Sequence, residues 1–191
     1  MNKVGKIMIG TGIVCIFLSI FFGIYNYYEE VEAGNNSREV VEEILDNIQN
    51  INQEEDNVLV YQTIKGYKTL GIISLPKLEL DLPILTEWDY DRLKVGPCVY
   101  YGSIETNDLV ICGHSYRTHF KYLSKLSIGD YIIITDVNNH EYIYEICDKD
   151  VINPYDIDSV IDSGYDLTLF SCYNGGTERM TIYCRRVNSK I

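Results

Sequence analysis

Residues Tyr131–Val151 read Tyr-Ile-Ile-Ile-Thr-Asp, then Val-Asn-Asn-His, then Glu-Tyr-Ile-Tyr-Glu-Ile-Cys-Asp-Lys-Asp-Val. Two runs of β-branched and aromatic residues flank Asn138-Asn139, a pair that tolerates the positive φ of a tight hairpin turn. They predict antiparallel strands at Tyr131–Asp136 and Glu141–Val151. Working outward, the same texture predicts strands at Tyr67–Leu75, Leu80–Thr86, Val99–Tyr101, Asp108–Gly113, Leu167–Ser171 and Met180–Arg185, with Gly, Pro, Asn or Asp between them. One short helix is expected in this region, around His119–Leu126. Eight short strands that do not alternate with helices exclude βαβ units and predict an all-β closed barrel or sandwich.

Composition agrees. The chain has 191 residues and is 46% apolar, enough to bury a full core. Its 16 Lys and Arg face 28 Asp and Glu, a net charge of −12 that excludes binding nucleic acid through phosphates. Residues 1–28 hold Lys3 and Lys6 and no acid, so all 28 acids follow them.

That charge-poor start predicts a membrane element. Ile7–Tyr28 carries no charge and, at about 1.5 Å per residue, would span about 33 Å as a helix against a hydrocarbon core of about 30 Å. Lys3 and Lys6 before it, and Glu29, Glu30 and Glu32 after it, predict a cytoplasmic N-terminus and an outside domain. Val31-Glu32-Ala33 resembles a signal-peptide cleavage site, but the apolar run exceeds the roughly 7–15 residues of such a peptide, which favours an uncleaved anchor. No second apolar run follows, so a single crossing is expected. Asn36 or Ser37 is then expected to cap a separate juxtamembrane helix with Val40, Val41, Ile44, Leu45, Ile48 and Ile51 on one face, resting on its own domain. Asn52–Asn57 reads as a linker. The expected division is 1–28 (cytoplasmic stub and membrane anchor), 29–57 (juxtamembrane helix and linker) and 58–191 (the β domain).

Six cysteines are candidates for chemistry. Five lie beyond the membrane run, so an outside domain could hold two disulfides and one free thiol. Cys172 stands out because it ends the apolar strand Leu167-Thr168-Leu169-Phe170-Ser171 and precedes Tyr173-Asn174-Gly175-Gly176. The other cysteines sit among strand residues, as buried fillers or bridges would. A thiol with an ordinary pKa near 8.5 needs a base or positive neighbour to react at neutral pH. Of the three histidines, His140 lies in the Asn-Asn turn and reads as solvated, and His119 opens the short helix as a cap or packing residue. His114 ends the strand Leu109–Gly113, so two strand mouths on one rim would pair it with Cys172. Arg179 begins the last strand across the Gly-Gly loop, where a guanidinium can stabilise an oxyanion; taken alone it would be a surface charge. A zinc site from Cys112, His114 and His119 is disfavoured by the cramped spacing of the first two on a strand.

Gly96-Pro97, Val110-Ile111-Cys112-Gly113-His114, Thr168-Leu169-Phe170-Ser171-Cys172 and Arg179, in this order, resemble the sortase family. Gly71-Ile72-Ile73-Ser74-Leu75-Pro76 is similar to that family's first strand, and Val151–Asp156 to its loop before the cysteine strand. Ser171 stands where Thr is usual, Cys112 where Ala is usual, and Cys98 where Gly is common. The resemblance covers about residues 66–187 and implies an eight-stranded sortase-type β-barrel with short helices, of class A or D, with D favoured. It implies a membrane-anchored cysteine transpeptidase of Gram-positive bacteria. Cys172 would be the nucleophile, His114 the general acid and base, and Arg179 the oxyanion or substrate stabiliser. Ser171, Tyr173 and Pro154 would contact the substrate, in a groove lined by the loops after Val151 and Cys172. The implied partners are an LPxTG-like sorting signal, cleaved after Thr, and an amine of a cell-wall precursor or peptidoglycan, with no metal or other cofactor. The alternatives are an inactive extracellular binding module on the same barrel and a cysteine peptidase that hydrolyses. A papain-like or NlpC/P60-like hydrolase is a poorer match, because there the cysteine precedes the histidine and opens a helix.

Overall fold

The computed structural model describes residues 3–50 and 60–187. The chain divides into a first unit, Met1–Glu32, and a second, Ala33–Ile191. Helix α1 spans Lys3–Asn50 and supplies all the described structure of the first unit. In that unit Ile13, Phe17, Ile20, Phe21 and Phe22 are about half exposed or more. Among the described residues α1 is the one helix long and apolar enough to cross a membrane. Two hydroxyls in its apolar part are satisfied within the helix: the Thr11 hydroxyl donates to the Ile7 carbonyl at 3.0 Å and the Ser19 hydroxyl to the Cys15 carbonyl at 2.9 Å.

The second unit is built on nine strands: β1 (Gln62–Ile64), β2 (Tyr67–Leu75), β3 (Leu80–Leu85), β4 (Cys98–Tyr101), β5 (Leu109–Gly113), β6 (Tyr131–Asp136), β7 (Glu141–Ile152), β8 (Leu167–Tyr173) and β9 (Glu178–Arg186). Eight of them close a barrel in the order β2-β3-β4-β5-β8-β9-β7-β6, because β6 pairs back onto β2. The expected eight-stranded barrel is therefore present, and the expected strands hold to within two residues at either end. The ninth strand, β1, went unread because it is three residues long; it joins β2 through Lys65-Gly66, both at positive φ. Asn139 likewise takes positive φ in the turn between β6 and β7.

The barrel is filled by Ile73, Leu75, Leu82, Ile84, Leu109, Ile111, Ile132, Ile134, Leu167, Leu169 and Ile182, with Phe120 and Leu123 from a 3-10 segment at Phe120–Lys125. That segment is the short helix expected around His119–Leu126. A four-residue helix, α2 (Asp158–Ile161), follows β7. Outside the barrel wall, Val40, Val41 and Ile44 of α1 bury against Ile64, Ile72, Leu85, Val95, Cys98 and Cys112. At roughly 1.5–3 kcal/mol for each fully buried aliphatic side chain, this seam holds the second part of α1 on its own domain.

Here the structure corrects the sequence reading. No new helix is capped at Asn36 or Ser37: α1 runs straight through them, and Ser37 is buried with its hydroxyl donating to the Val95 carbonyl. A cap serves the orphan N–H groups where a helix begins, and a continuous helix has none at this point, so the Ser37 hydroxyl turns to partners across the interface. Leu45 is exposed rather than packed. The Asn52–Asn57 linker and Ile51 lie outside the described residues.

Candidate active site

Two features of the barrel bring the ends of β5 and β8 together. The strands are parallel, with Cys112 opposite Phe170 and Gly113 opposite Ser171, so both chains leave the sheet at the same end. Alternation sends Leu109, Ile111, Leu167, Leu169 and Ser171 into the barrel and Cys112 and Phe170 outward. One step further, His114 and Cys172 fall on that outer face. Antiparallel β9 sets Arg179 opposite Cys172, on the same face. Cys172 on β8 and Arg179 on β9 thus share one face, with His114 just past the end of the neighbouring β5, and all three are partly buried. Gly113 is needed at this exit, since a Cβ there would lie 2.4 Å from the Phe120 ring.

Beside Arg179 runs a groove lined by Tyr100, Ile152, Asn153, Pro154, Ile157 and Phe170. Its floor is apolar: Val110, Ile152 and Val160 cluster beneath Tyr100 and Phe170, whose rings meet edge to face at 5.2 Å. The loop after β7 is pinned by its own side chains, with the Asn153 carboxamide oxygen accepting from the Tyr155 amide at 3.0 Å and the Asp156 carboxylate from the Ser159 hydroxyl at 2.6 Å. The Arg179 guanidinium donates to the carbonyls of Gly176 at 3.1 Å and Glu178 at 3.0 Å, which keeps it at the strand mouth.

Of the three substrate contacts expected from sequence, only Pro154 lines this groove. Ser171 is buried inside the barrel, its hydroxyl donating to the Phe120 carbonyl at 3.3 Å, and Tyr173 packs against the core. Tyr100 and Phe170 line the groove without having been read as candidates, although alternation from Cys172 would have put Phe170 on that face. His140 is not simply solvated: its Nδ1 lies 3.2 Å from the Asp136 carboxylate, which accepts from the His140 amide at 2.8 Å.

All six cysteines are free thiols. Cys98 and Cys112 are Cα partners across β4 and β5, both buried; burial, reinforced by Cys112, drives the Cys98 thiol pKa far up, and burial drives that of Cys112 up to about 12. Cys184 is buried and raised for the same reason, whereas Cys147 is exposed at a bulge in β7, contrary to its reading as a filler. Among the described residues no three His, Cys, Asp or Glu side chains meet as a metal ion would require. His119 is fully buried with its Nε2 2.8 Å from the Ser37 hydroxyl oxygen.

A sortase-domain family model matches residues 73–187, from within β2 to the end of β9. The chain belongs to the sortase family. Sortase D of Bacillus subtilis (strain 168) is 30% identical over 128 residues, a match spanning 61% of this chain and 63% of that relative's length. This agrees with the class D reading. Among solved structures, a Clostridium perfringens Sortase D5 transpeptidase superposes with a TM-score of 0.66 at 21% identity, covering 81% of this sortase and 99% of that chain. A C. perfringens sortase C, solved with its C-terminal cell wall sorting motif, gives a TM-score of 0.56 at 24% identity over 88% and 100% of the two chains. These likenesses establish the fold. The sortase family is a family of cysteine transpeptidases, and the match spans less than two thirds of the Bacillus subtilis relative.

Proposed function

We propose that this sortase cuts an LPxTG-like sorting signal after Thr and joins the acyl group to a cell-wall amine, with Cys172, His114 and Arg179 as the catalytic residues. The observation that supports the reading is the strand register: Cys172 pairs with Arg179 across β8 and β9, and β5, parallel to β8, ends one residue before His114 at the same end of the sheet.

The chemistry follows from the groups. The Cys172 thiolate attacks the scissile carbonyl, and the oxyanion that forms is stabilised by the Arg179 guanidinium and nearby backbone N–H groups. His114, as imidazolium, gives its proton to the departing amine as the C–N bond breaks and a thioester remains. An incoming amine then attacks the thioester and surrenders a proton to His114. Cys172 leaves as thiolate, and the original pair is restored. The apolar groove beside Arg179 suits an extended peptide with small or aliphatic side chains. With α1 as an anchor and the barrel outside, the enzyme would meet secreted proteins and wall precursors at the membrane surface.

The test uses the full-length chain in detergent micelles, a panel of LPxTG-like peptides and an amine nucleophile, with products read by mass spectrometry. Cleavage and amine transfer by the parent, both absent in Cys172→Ala, support the reading. Cleavage with water as the only acceptor makes the protein a peptidase. A Cys172 inert both to the panel and to alkylation at neutral pH leaves a binding module.

A further inference from the structure

The second part of α1 reaches the candidate active site through side chains that the reaction itself does not use. The contact begins at Gly34, where a Cβ would lie 2.7 Å from Thr118 Cγ2, so the helix and the loop after β5 approach as closely as a glycine permits. One turn on, the buried Ser37 hydroxyl donates its single proton to the Val95 carbonyl. Its oxygen, 2.8 Å from His119 Nε2, must then accept, which assigns the neutral Nε2–H tautomer to His119. The His119 ring lies against Tyr116, centroids 5.6 Å apart, and Tyr116 stacks on the His114 ring at 4.3 Å with the planes 17° apart. The loop that carries these rings is tied by the amides of His119 and Lys121 to the Tyr116 carbonyl, at 3.0 and 3.2 Å, and by the Phe120 amide to the His114 carbonyl at 3.0 Å.

We propose that Ser37, His119 and Tyr116 are positioning residues: they form a chain of contacts through which α1 sets the orientation of the His114 ring beside Cys172. Ser37 lies outside the span that the family model matches, so this orientation draws on a part of the chain beyond that match. A stacked ring keeps His114 from turning about χ2, and a turned ring would carry its nitrogens away from the thiol. The buried His119 is a fixed dipole wedged between helix and stack, held in one tautomer by Ser37. The inference rests on His114 acting as the acid and base.

The test is made on the full-length, 15N-labelled chain in detergent micelles. Its three histidines give three imidazole spin systems, which His114→Asn and His140→Gln assign. The His119 signals should report the neutral Nε2–H tautomer. Ser37→Ala and Tyr116→Leu should shift the His114 ring signals and leave those of His140 in place, while Tyr116→Phe, which keeps the stack, should resemble the parent. In parallel, the pH profile of Cys172 alkylation by iodoacetamide, followed by peptide mass mapping, should change several-fold in Ser37→Ala and Tyr116→Leu and stay parental in Tyr116→Phe. If Ser37→Ala does not fold, the contrast between Tyr116→Leu and Tyr116→Phe decides alone, since both sit at a partly exposed position. Unchanged His114 signals and an unchanged Cys172 profile in the folded variants overturn the proposal. If His114→Asn leaves the Cys172 profile parental, the acid–base reading of His114 fails separately, and the ring shifts still judge the positioning chain.

Discussion

His119 carries no exposed surface, and burial, with the charge of nearby His114 adding to it, pushes its pKa from 6.5 down to about 4. The folded state therefore disfavours the proton that the unfolded chain accepts. The stability this represents is present above about pH 6.5 and is lost as the pH falls toward 4, an effect of about 3 kcal/mol. Thermal melts from pH 7 to pH 4 should show a steep loss in the parent and a shallower one in His119→Gln. The cysteines divide by the same physics. With their thiol pKa values raised by burial, Cys98, Cys112 and Cys184 should resist iodoacetamide in the folded protein and react in urea, whereas the exposed Cys147 and partly exposed Cys172 should react in both. Modification of Cys98 or Cys112 under native conditions would show that the β4–β5 region opens. Within the site, Arg179→Ala should lower turnover by about 10²–10³ if the guanidinium meets the oxyanion, and Arg179→Lys should recover only part of it. An equal loss in KM alone would instead make Arg179 a binding group.

At the scale of elements, the barrel closes through β2 and β6, and Gly71 makes that closure possible. Its φ is +154°, and a Cβ would lie 2.0 Å from the Thr135 carbonyl oxygen. Gly71→Ala must push β2 off β6, and a loss of about 2–4 kcal/mol is expected in urea unfolding. The α1 seam is tested by Ile44→Ala, which removes a fully buried side chain from the outer cluster. A cost of about 2–5 kcal/mol would mark the helix as an integral part of the domain, and a negligible change would mark it as loosely docked. The helix also shows where local signals fail. Val40, Val41 and Ile44 were readable as its buried face, because 3.6-residue periodicity is a local property. Ser37 was misread as a cap, because nothing local announces a carbonyl 58 residues away. Strand β1 was invisible for a similar reason: three residues make no period, and only pairing with β2 defines them.

The whole molecule combines an uncharged apolar segment, residues 7–28, with a remainder that carries every acid of the chain. If α1 is an uncleaved anchor with the barrel outside, the full-length protein should remain in the membrane pellet after an alkaline carbonate wash. Cys172 should then react with a membrane-impermeant maleimide on intact cells, while Cys98 stays protected by burial. Release by carbonate would make the apolar segment a removable leader. Labelling only after lysis would invert the topology.

Strand positions, the all-β class, the apolar helix and the order of Pro97, His114, Cys172 and Arg179 were set by the sequence alone, since alternation, turn residues and motif order are written in neighbouring positions. That Ser171 turns inward while Phe170 joins the groove was within reach of the same alternation. The closure of β6 onto β2, the parallel register that brings the ends of β5 and β8 to the same end of the sheet, and the line from Ser37 through His119 and Tyr116 were decided only by the tertiary structure. Each joins residues far apart in the chain, and their contacts depend on how the barrel closes and how residues 33–50 of α1 pack on its wall, which no local pattern encodes.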